Sequence, residues 1–171
     1  IGYIVNNKGE HITTDKKGVV IKRRDNCGYL REIYTMLIQM IMNKEQRSVI
    51  FNYLYKMIDK LLNGNVNIND LIITKSLKDV YKSKNLPHVI VANKMKERGK
   101  YISSGTRIEY IFLTTEKYGD PQYKKAEDPE YYNENKDTLN IDYLYYFEKQ
   151  LINPIDEVLY VKFQIKDILK N

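Results

Sequence analysis

The sequence has 171 residues, of which 43% are hydrophobic, so it can bury a core of its own and intrinsic disorder is excluded. A single cysteine, Cys27, excludes a disulfide framework and a thiolate-rich zinc site, and no apolar run approaches the roughly 18 residues that span a membrane, so we expect an intracellular protein without a membrane partner. The net charge of +6 is unevenly divided: residues 1–100 carry 19 Lys and Arg against 9 Asp and Glu, whereas residues 101–171 carry 9 Lys and Arg against 13 Asp and Glu. The basic first part favours nucleic acid as its partner.

The first 25 residues have the pattern of a small β meander. Two runs of β-forming residues, at 1–5 and 11–14, are separated by a polar turn at 6–9, and a third strand is expected at 19–22. A meander this short is not stable alone, so we expect it to complete a sheet whose other strands lie elsewhere.

Two amphipathic helices are predicted next. Apolar residues at three- and four-residue spacing predict a helix over about residues 26–43, with Asp25 or Asn26 as its N-cap. A second apolar stripe over residues 50–62 predicts another helix that stops at Gly64. Because the link between them is short, we expect the two helices to pack as an antiparallel hairpin.

A similar pair of helices is predicted near the C-terminus. One apolar stripe covers residues 141–151 behind Asn140, and Asn153 with Pro154 is expected to cap and start another helix. Between the two helical pairs, residues 108–113 have the pattern of a strand. The predicted fold class is therefore α+β, mainly α.

The chemistry is concentrated in the basic section between these helical pairs. Residues 75–100 carry eight Lys and Arg against two acidic residues. Hydroxyl, ammonium and guanidinium groups bind phosphate oxygens without reading base sequence, and here they are supplied by Thr74, Lys75, Lys94, Arg98 and Lys100. The alternative, a solvated basic surface, is expected for Lys78, Lys82, Lys84 and Lys96. His88 by itself is either a hydrogen-bonded structural residue or a ligand contact.

Short motifs run in order along nearly the whole chain, from about residue 16 to residue 160. They are Lys17 and Gly18; Arg23 to Cys27; Ile73 to Lys75; His88 and Val89 with Ala92; Lys94 and Met95; Arg98 and Gly99; Gly105 with Tyr110; Ala126 to Pro129; Ile141 and Asp142 with Tyr145 and Tyr146; and Gln150, Leu151 and Pro154. In order and spacing they resemble the C-terminal part of family B replicative DNA polymerases. The delta-type branch, including the enzymes of large DNA viruses, is the most similar.

The resemblance implies a domain organisation and a set of DNA-binding residues. Residues 1–25 match the end of the palm subdomain, and residues 26–171 match the thumb, a helical subdomain with a small β element that holds the primer and template backbones. The positions that the resemblance places against the duplex phosphates are Thr74, Lys75, His88, Lys94 and Arg98, with close turns at Gly99 and Gly105. Lys100 joins this set as a further phosphate-binding cation.

One basic position departs from the family pattern, and two others have two possible roles. The family usually has arginine at position 94, and Lys94 keeps the charge but loses the bidentate fork. Arg23 and Arg24 either contact DNA or form an internal ion-pair network with Asp25 that joins palm to thumb.

The resemblance also implies that the catalytic site lies in another part of the parent enzyme. The reaction needs paired aspartates that hold two divalent ions, and the family's motifs for them would precede Ile1. The acids Glu127, Asp128 and Glu130 are expected to form a solvated helix start rather than a metal site. We therefore expect no catalytic residue, metal site or cofactor in this chain, which should be inactive alone, and Mg²⁺ only in the parent enzyme.

The expected partners follow from the same resemblance. They are primer–template duplex DNA, the palm and fingers of the same polymerase, and a processivity factor. The expected location is intracellular and, for a viral protein, the host's cytoplasmic virus factory or nucleus. Two other functions stay open, namely a stand-alone nucleic-acid-binding module and a basic scaffold that binds an acidic protein.

Overall fold

The computed structural model describes residues 2–5, 11–15 and 26–159. Within these ranges the chain is α+β and mainly helical, with two small antiparallel sheets, so the predicted fold class is confirmed. None of the helices in the described ranges is both long and apolar enough to cross a bilayer.

The N-terminal sheet has two strands, β1 (Gly2–Val5) and β2 (His11–Asp15). They pair antiparallel, with Gly2 opposite Asp15, and the register shifts between Ile4 and Val5. The first two predicted strands are thus confirmed. The predicted turn at 6–9 and the predicted third strand at 19–22 lie outside the described residues.

Two long helices, α1 (Gly28–Met42) and α2 (Arg47–Leu62), follow as predicted. Their apolar stripes are buried, and the Tyr29 hydroxyl near the start of α1 donates a hydrogen bond to the Met57 carbonyl near the end of α2 (2.7 Å). This contact confirms the antiparallel hairpin. The N-cap of α1 is Cys27, not Asn26, and α2 ends before Gly64 as predicted.

The second sheet has three strands, β3 (Ile73–Ser76), β4 (Arg107–Phe112) and β5 (Ala126–Glu127). All pairs are antiparallel and β4 lies in the middle, which confirms the predicted central strand. Helix α3 (Pro87–Glu97) lies in the chain between β3 and β4 and packs against all three strands. The basic section is therefore folded onto a sheet.

Two short helices, α4 (Gln122–Lys125) and α5 (Pro129–Glu134), flank β5. The chain then forms one continuous helical stretch made of α6 (Tyr143–Tyr145), a π-helical segment (Tyr146–Leu151) and α7 (Ile152–Leu159). Its N-cap is Asp142, whose side chain accepts a hydrogen bond from the Tyr145 N–H.

The predicted helix start at Asn153 and Pro154 is wrong, because both residues lie inside this continuous stretch. Proline has no N–H to donate to the carbonyl four residues earlier, so an interior proline normally breaks a helix. Here a π-helical segment with i→i−5 bonding ends directly before α7, and the helix continues through Pro154 without a break.

Tyr146 joins the sheet to the helices in the centre of the core. Its hydroxyl donates to the Leu71 carbonyl (2.7 Å) and accepts from the Phe112 N–H (3.1 Å). Burial raises the pKa of this hydroxyl well above its usual value, so the hydroxyl stays protonated. Tyr146 thus links the π-helical segment to β4 and to Leu71, which lies shortly before β3.

Candidate nucleic-acid interface

The sequence-predicted site residues lie on two neighbouring elements. Thr74 and Lys75 are on β3, His88 and Lys94 are on α3, and Arg98 and Lys100 flank the turn at the end of α3. Arg23 and Arg24 lie outside the described residues. Helix α3 packs on the sheet that contains β3, so the described members belong to one packed substructure.

The β3 strand presents the most accessible part of this region. Thr74 is half-buried and pairs with Glu109, whereas Lys75 is exposed and pairs with Ile108. No ion pair found within the described ranges involves Lys75. The loop at 77–86, which we call the lysine loop, adds three more exposed lysines, Lys78, Lys82 and Lys84. Lys75 and these three lysines are exposed and form no ion pair within the part of the chain that the structure describes, so a polyanion can reach their ammonium groups.

His88 lies beneath this loop and is only 2% exposed. Its Nε2 is 2.9 Å from the hydroxyl of Tyr81, which accepts a hydrogen bond from the Lys78 N–H (2.7 Å). Burial, followed by the charges of Lys75 and Lys78, lowers the pKa of His88, so the imidazole is neutral at neutral pH. In this conformation the buried His88 ring contacts Tyr81 of the lysine loop, and its predicted phosphate contact stays a prediction.

The end of α3 turns the chain toward the acidic residues. Gly99 has a φ of +88°, a left-handed conformation that glycine adopts without steric cost. Its N–H donates to the Lys96 carbonyl and the Lys100 N–H donates to the Met95 carbonyl, which is the Schellman pattern of helix ends. Gly105 also has a positive φ, of +82°, so the close turns expected at both glycines are present.

Lys94 and Arg98 share one carboxylate, that of Glu127. Arg98 forms a fork with it through Nη1 to Oε1 (2.8 Å) and Nη2 to Oε2 (3.2 Å), and the Lys94 Nζ lies 3.2 Å from Oε2. Lys94 also donates to the Ala126 carbonyl (2.8 Å), and the Arg98 guanidinium carbon lies 3.4 Å from the centre of the Tyr131 ring. Both cations are therefore held by β5 and α5 in defined orientations.

Glu127 is nearly buried, with a side chain 9% exposed. Burial alone would raise the pKa of this carboxyl, but hydrogen bonds from Arg98 and from the Asp128 N–H, together with Lys94, outweigh it and the pKa lies below its usual value. Glu127 is thus a permanent anion at neutral pH.

Lys100 has two carboxylate partners, Asp128 at 3.0 Å and Glu130 in a shorter contact. These hydrogen bonds, the Glu130 bond first and the Asp128 bond second, raise the pKa of Lys100. Asp128 is buried and also caps α5 by accepting the Glu130 N–H. The ammonium of Lys100 therefore lies between a buried acid and an exposed one.

The expected solvated helix start at Glu127, Asp128 and Glu130 is wrong for its first two members, which are buried counter-ions of the predicted DNA-binding cations. The sequence signal for this role is weak, since only the four-residue spacing of Lys94 and Arg98 places them on one helix face. Because these carboxylates are occupied by cations, they do not fit an Mg²⁺ ion, which requires free oxygen ligands. Within the described ranges no group of three or more His, Cys, Asp or Glu side chains is arranged to hold a metal ion.

The comparison with protein families decides which family this architecture represents. The sequence profile described as DNA polymerase family B matches residues 1–162. The chain belongs to DNA polymerase family B. This confirms the family that the motifs indicated.

Relatives of this family B chain come from viruses and from eukaryotes. It is 33% identical to a DNA polymerase of Pyramimonas orientalis virus, covering 91% of this chain and 13% of that protein. It is also 33% identical to the DNA polymerase delta catalytic subunit of Plasmodium falciparum, covering 98% of this chain and 15% of that protein. The chain thus spans well under a fifth of the length of these two relatives.

A solved structure supports the fold of this family B chain. The structure of the family B DNA polymerase from the hyperthermophilic archaeon Pyrobaculum calidifontis matches 92% of the chain with a TM-score of 0.71, covering 20% of that polymerase at 22% sequence identity. At this identity the match shows a shared fold.

Proposed function

We propose that this chain is the thumb of a DNA polymerase, residues 26–171, with the end of the palm, residues 1–25, and that it grips primer–template duplex DNA through its phosphates. The observation that carries the proposal is the basic substructure built from β3, the lysine loop and the end of α3, which has four exposed lysines and three cations oriented by carboxylates. Ammonium, guanidinium and hydroxyl groups contact phosphate backbones irrespective of base sequence, as a replicative enzyme requires.

The predicted site residues have different parts in this proposal. Thr74 and Lys75 contact phosphates directly, because Lys75 is exposed and free of ion pairs within the described ranges. Lys94 and Arg98, with side chains 30% and 29% exposed, present the donors that Glu127 does not use. His88 supports the loop from behind.

The remaining proposed features concern two arginines outside the described residues and the parent protein. Arg23 and Arg24 either contact DNA or join palm to thumb. Aspartates in other parts of the parent protein bind Mg²⁺ and catalyse nucleotide transfer. The further proposed partners of this chain are the palm and fingers of the same polymerase and a processivity factor. We propose an intracellular site of DNA replication.

The proposal is tested by the salt dependence of duplex DNA binding. We expect the chain to bind duplexes of different sequence equally, and Lys75→Ala to weaken all of them alike and to reduce the log–log salt slope by about one unit, because each neutralised phosphate contributes about 0.9. The matched control is Lys60→Ala, an exposed lysine on α2, which should leave the slope unchanged. Fluorescence anisotropy of a labelled duplex at several salt concentrations measures both quantities.

Two results would contradict this assignment. Equal slopes for Lys75→Ala and the wild type would mean that the β3 surface does not face DNA. Binding to an acidic protein but not to duplex DNA would favour the scaffold function instead. Arg98→Ala should also reduce the slope by about one unit, but it removes a partner of Glu127, so its folding has to be checked by circular dichroism.

A further inference from the structure

Lys100 differs from Lys94 and Arg98, the other two paired cations among the predicted site residues, because its two carboxylate partners differ in exposure. The side chain of Asp128 is 7% exposed, whereas that of Glu130 is 66% exposed, and Lys100 itself is 37% exposed. Lys94 and Arg98, in contrast, share the single nearly buried carboxylate of Glu127.

Asp128 is a fixed partner and Glu130 is a displaceable one. Asp128 accepts the Glu130 N–H at 3.1 Å as the N-cap of α5, so moving it would disrupt the helix start. Within the described ranges the Glu130 carboxylate pairs with Lys100 and with no other cation, and an exposed ion pair of this kind contributes little stability. A competing anion can therefore take the place of Glu130 while Asp128 keeps the ammonium in position.

We propose that Glu130 competes with a DNA phosphate for Lys100 and thereby sets how tightly the chain holds the duplex. This inference rests on the proposed function and adds a residue that regulates the same surface. When the phosphate binds, the Glu130 carboxylate returns to solvent, and the exchange of one anion for another limits the gain in affinity. A Lys100–phosphate contact of limited strength can break and form again as the polymerase moves along the duplex.

The test compares two substitutions that remove the same charge from the same helix. Glu130→Gln frees Lys100 from its exposed partner and leaves the backbone N–H that Asp128 accepts. Glu134→Gln is the matched control, because Glu134 is also exposed on α5 and forms no ion pair found within the described ranges. Both variants are measured with the full chain against a short duplex of random sequence, between about 50 and 200 mM salt.

Glu130→Gln is expected to tighten binding about two- to fivefold more than Glu134→Gln does, which corresponds to the typical strength of an exposed ion pair. It should also steepen the salt slope by up to about one unit, since one more cation becomes available to phosphate. In a Lys100→Met background the two glutamine variants should become equal. The comparison in the wild-type background decides the inference even if Lys100→Met proves unstable.

The outcomes separate this inference from the proposed function. If the chain binds DNA and Lys75→Ala flattens the slope, but Glu130→Gln equals Glu134→Gln, the function stands and the inference is overturned. An extra effect of Glu130→Gln that persists in Lys100→Met also overturns it. If neither the wild type nor Glu130→Gln binds duplex DNA, the function fails and the inference fails with it. Binding by Glu130→Gln alone would support the inference in its strongest form.

Discussion

At the scale of single residues, the most consequential side chain is Glu127. It lies 29 and 33 positions from Arg98 and Lys94 in the chain, yet it orients both cations. Its carboxylate also accepts the Asp128 N–H (2.9 Å), which ties the ion pairs to the start of α5. Loss of this one charge therefore affects both the stability of the fold and the orientation of the proposed DNA-binding groups.

Glu127→Gln is expected to lower the free energy of unfolding by about 1–3 kcal/mol, because it leaves two partly buried cations without their counter-ion. Glu116→Gln, an exposed control, should change it by less than about 0.5 kcal/mol. Since the folded-state pKa of Glu127 is lowered, its stabilisation is present above the ordinary pKa of 4.5 and is lost as pH falls through the folded-state value. The difference between wild type and Glu127→Gln should therefore shrink in acid.

Urea unfolding at neutral and acidic pH measures these differences. A Glu127→Gln variant as stable as Glu116→Gln at neutral pH would show that the ion pairs contribute nothing to the fold. A difference that grows in acid would contradict the assignment of the lowered pKa to Glu127.

At the scale of elements, the helix ends determine where the loops begin. Helices α1, α2 and α3 all end in the same Schellman pattern, with hydrogen bonds from the two residues beyond the C-cap back to the last turn. Glycine occupies the left-handed position after α2 and α3, but Lys44 occupies it after α1, with a φ of 55°. A lysine in this conformation is strained by its Cβ.

Lys44→Gly is expected to stabilise the chain by about 0.5–1 kcal/mol, because relief of the left-handed strain exceeds the extra entropy that glycine loses on folding. The neighbouring substitution Asn43→Gly is the control, since Asn43 has a φ of −77° and gains nothing from glycine. Denaturant midpoints of the two variants are the measurement. An equal change in both would show that residue 44 is not strained.

At the scale of the whole molecule, the two charge regions of the sequence meet in space. Acids from the second part of the chain, at 127–130, pair with cations from the first part, at 94–100. Of the cations at 75–100 that form no ion pair within the described ranges, Lys75, Lys78, Lys82 and Lys84 lie on β3 and the lysine loop, and Lys96 lies on α3. The surface that we propose to face DNA is narrower than the total charge of residues 75–100 suggests.

This distribution of roles leads to a prediction for the chain as a whole. The carboxylates of the 127–130 cluster are occupied by cations, so we expect no nucleotide incorporation by the chain alone with Mg²⁺ and a primer–template duplex. A primer-extension assay with a complete family B polymerase as positive control measures this. Robust nucleotide incorporation by the chain would contradict the proposal that the catalytic aspartates lie in other parts of the parent protein.

Local patterns in the amino-acid sequence were sufficient to predict α1, α2, β1, β2 and the central strand, because periodicity and turn residues act over a few neighbouring positions. The motifs in register were sufficient to identify the family. Local patterns did not reveal the π-helical segment, the continuation of the helix through Pro154 in α7, or the burial of Glu127, Asp128 and His88. Those features arise when strands and helices that are distant in sequence pack together, and only this packing removes the charges from water and selects their partners.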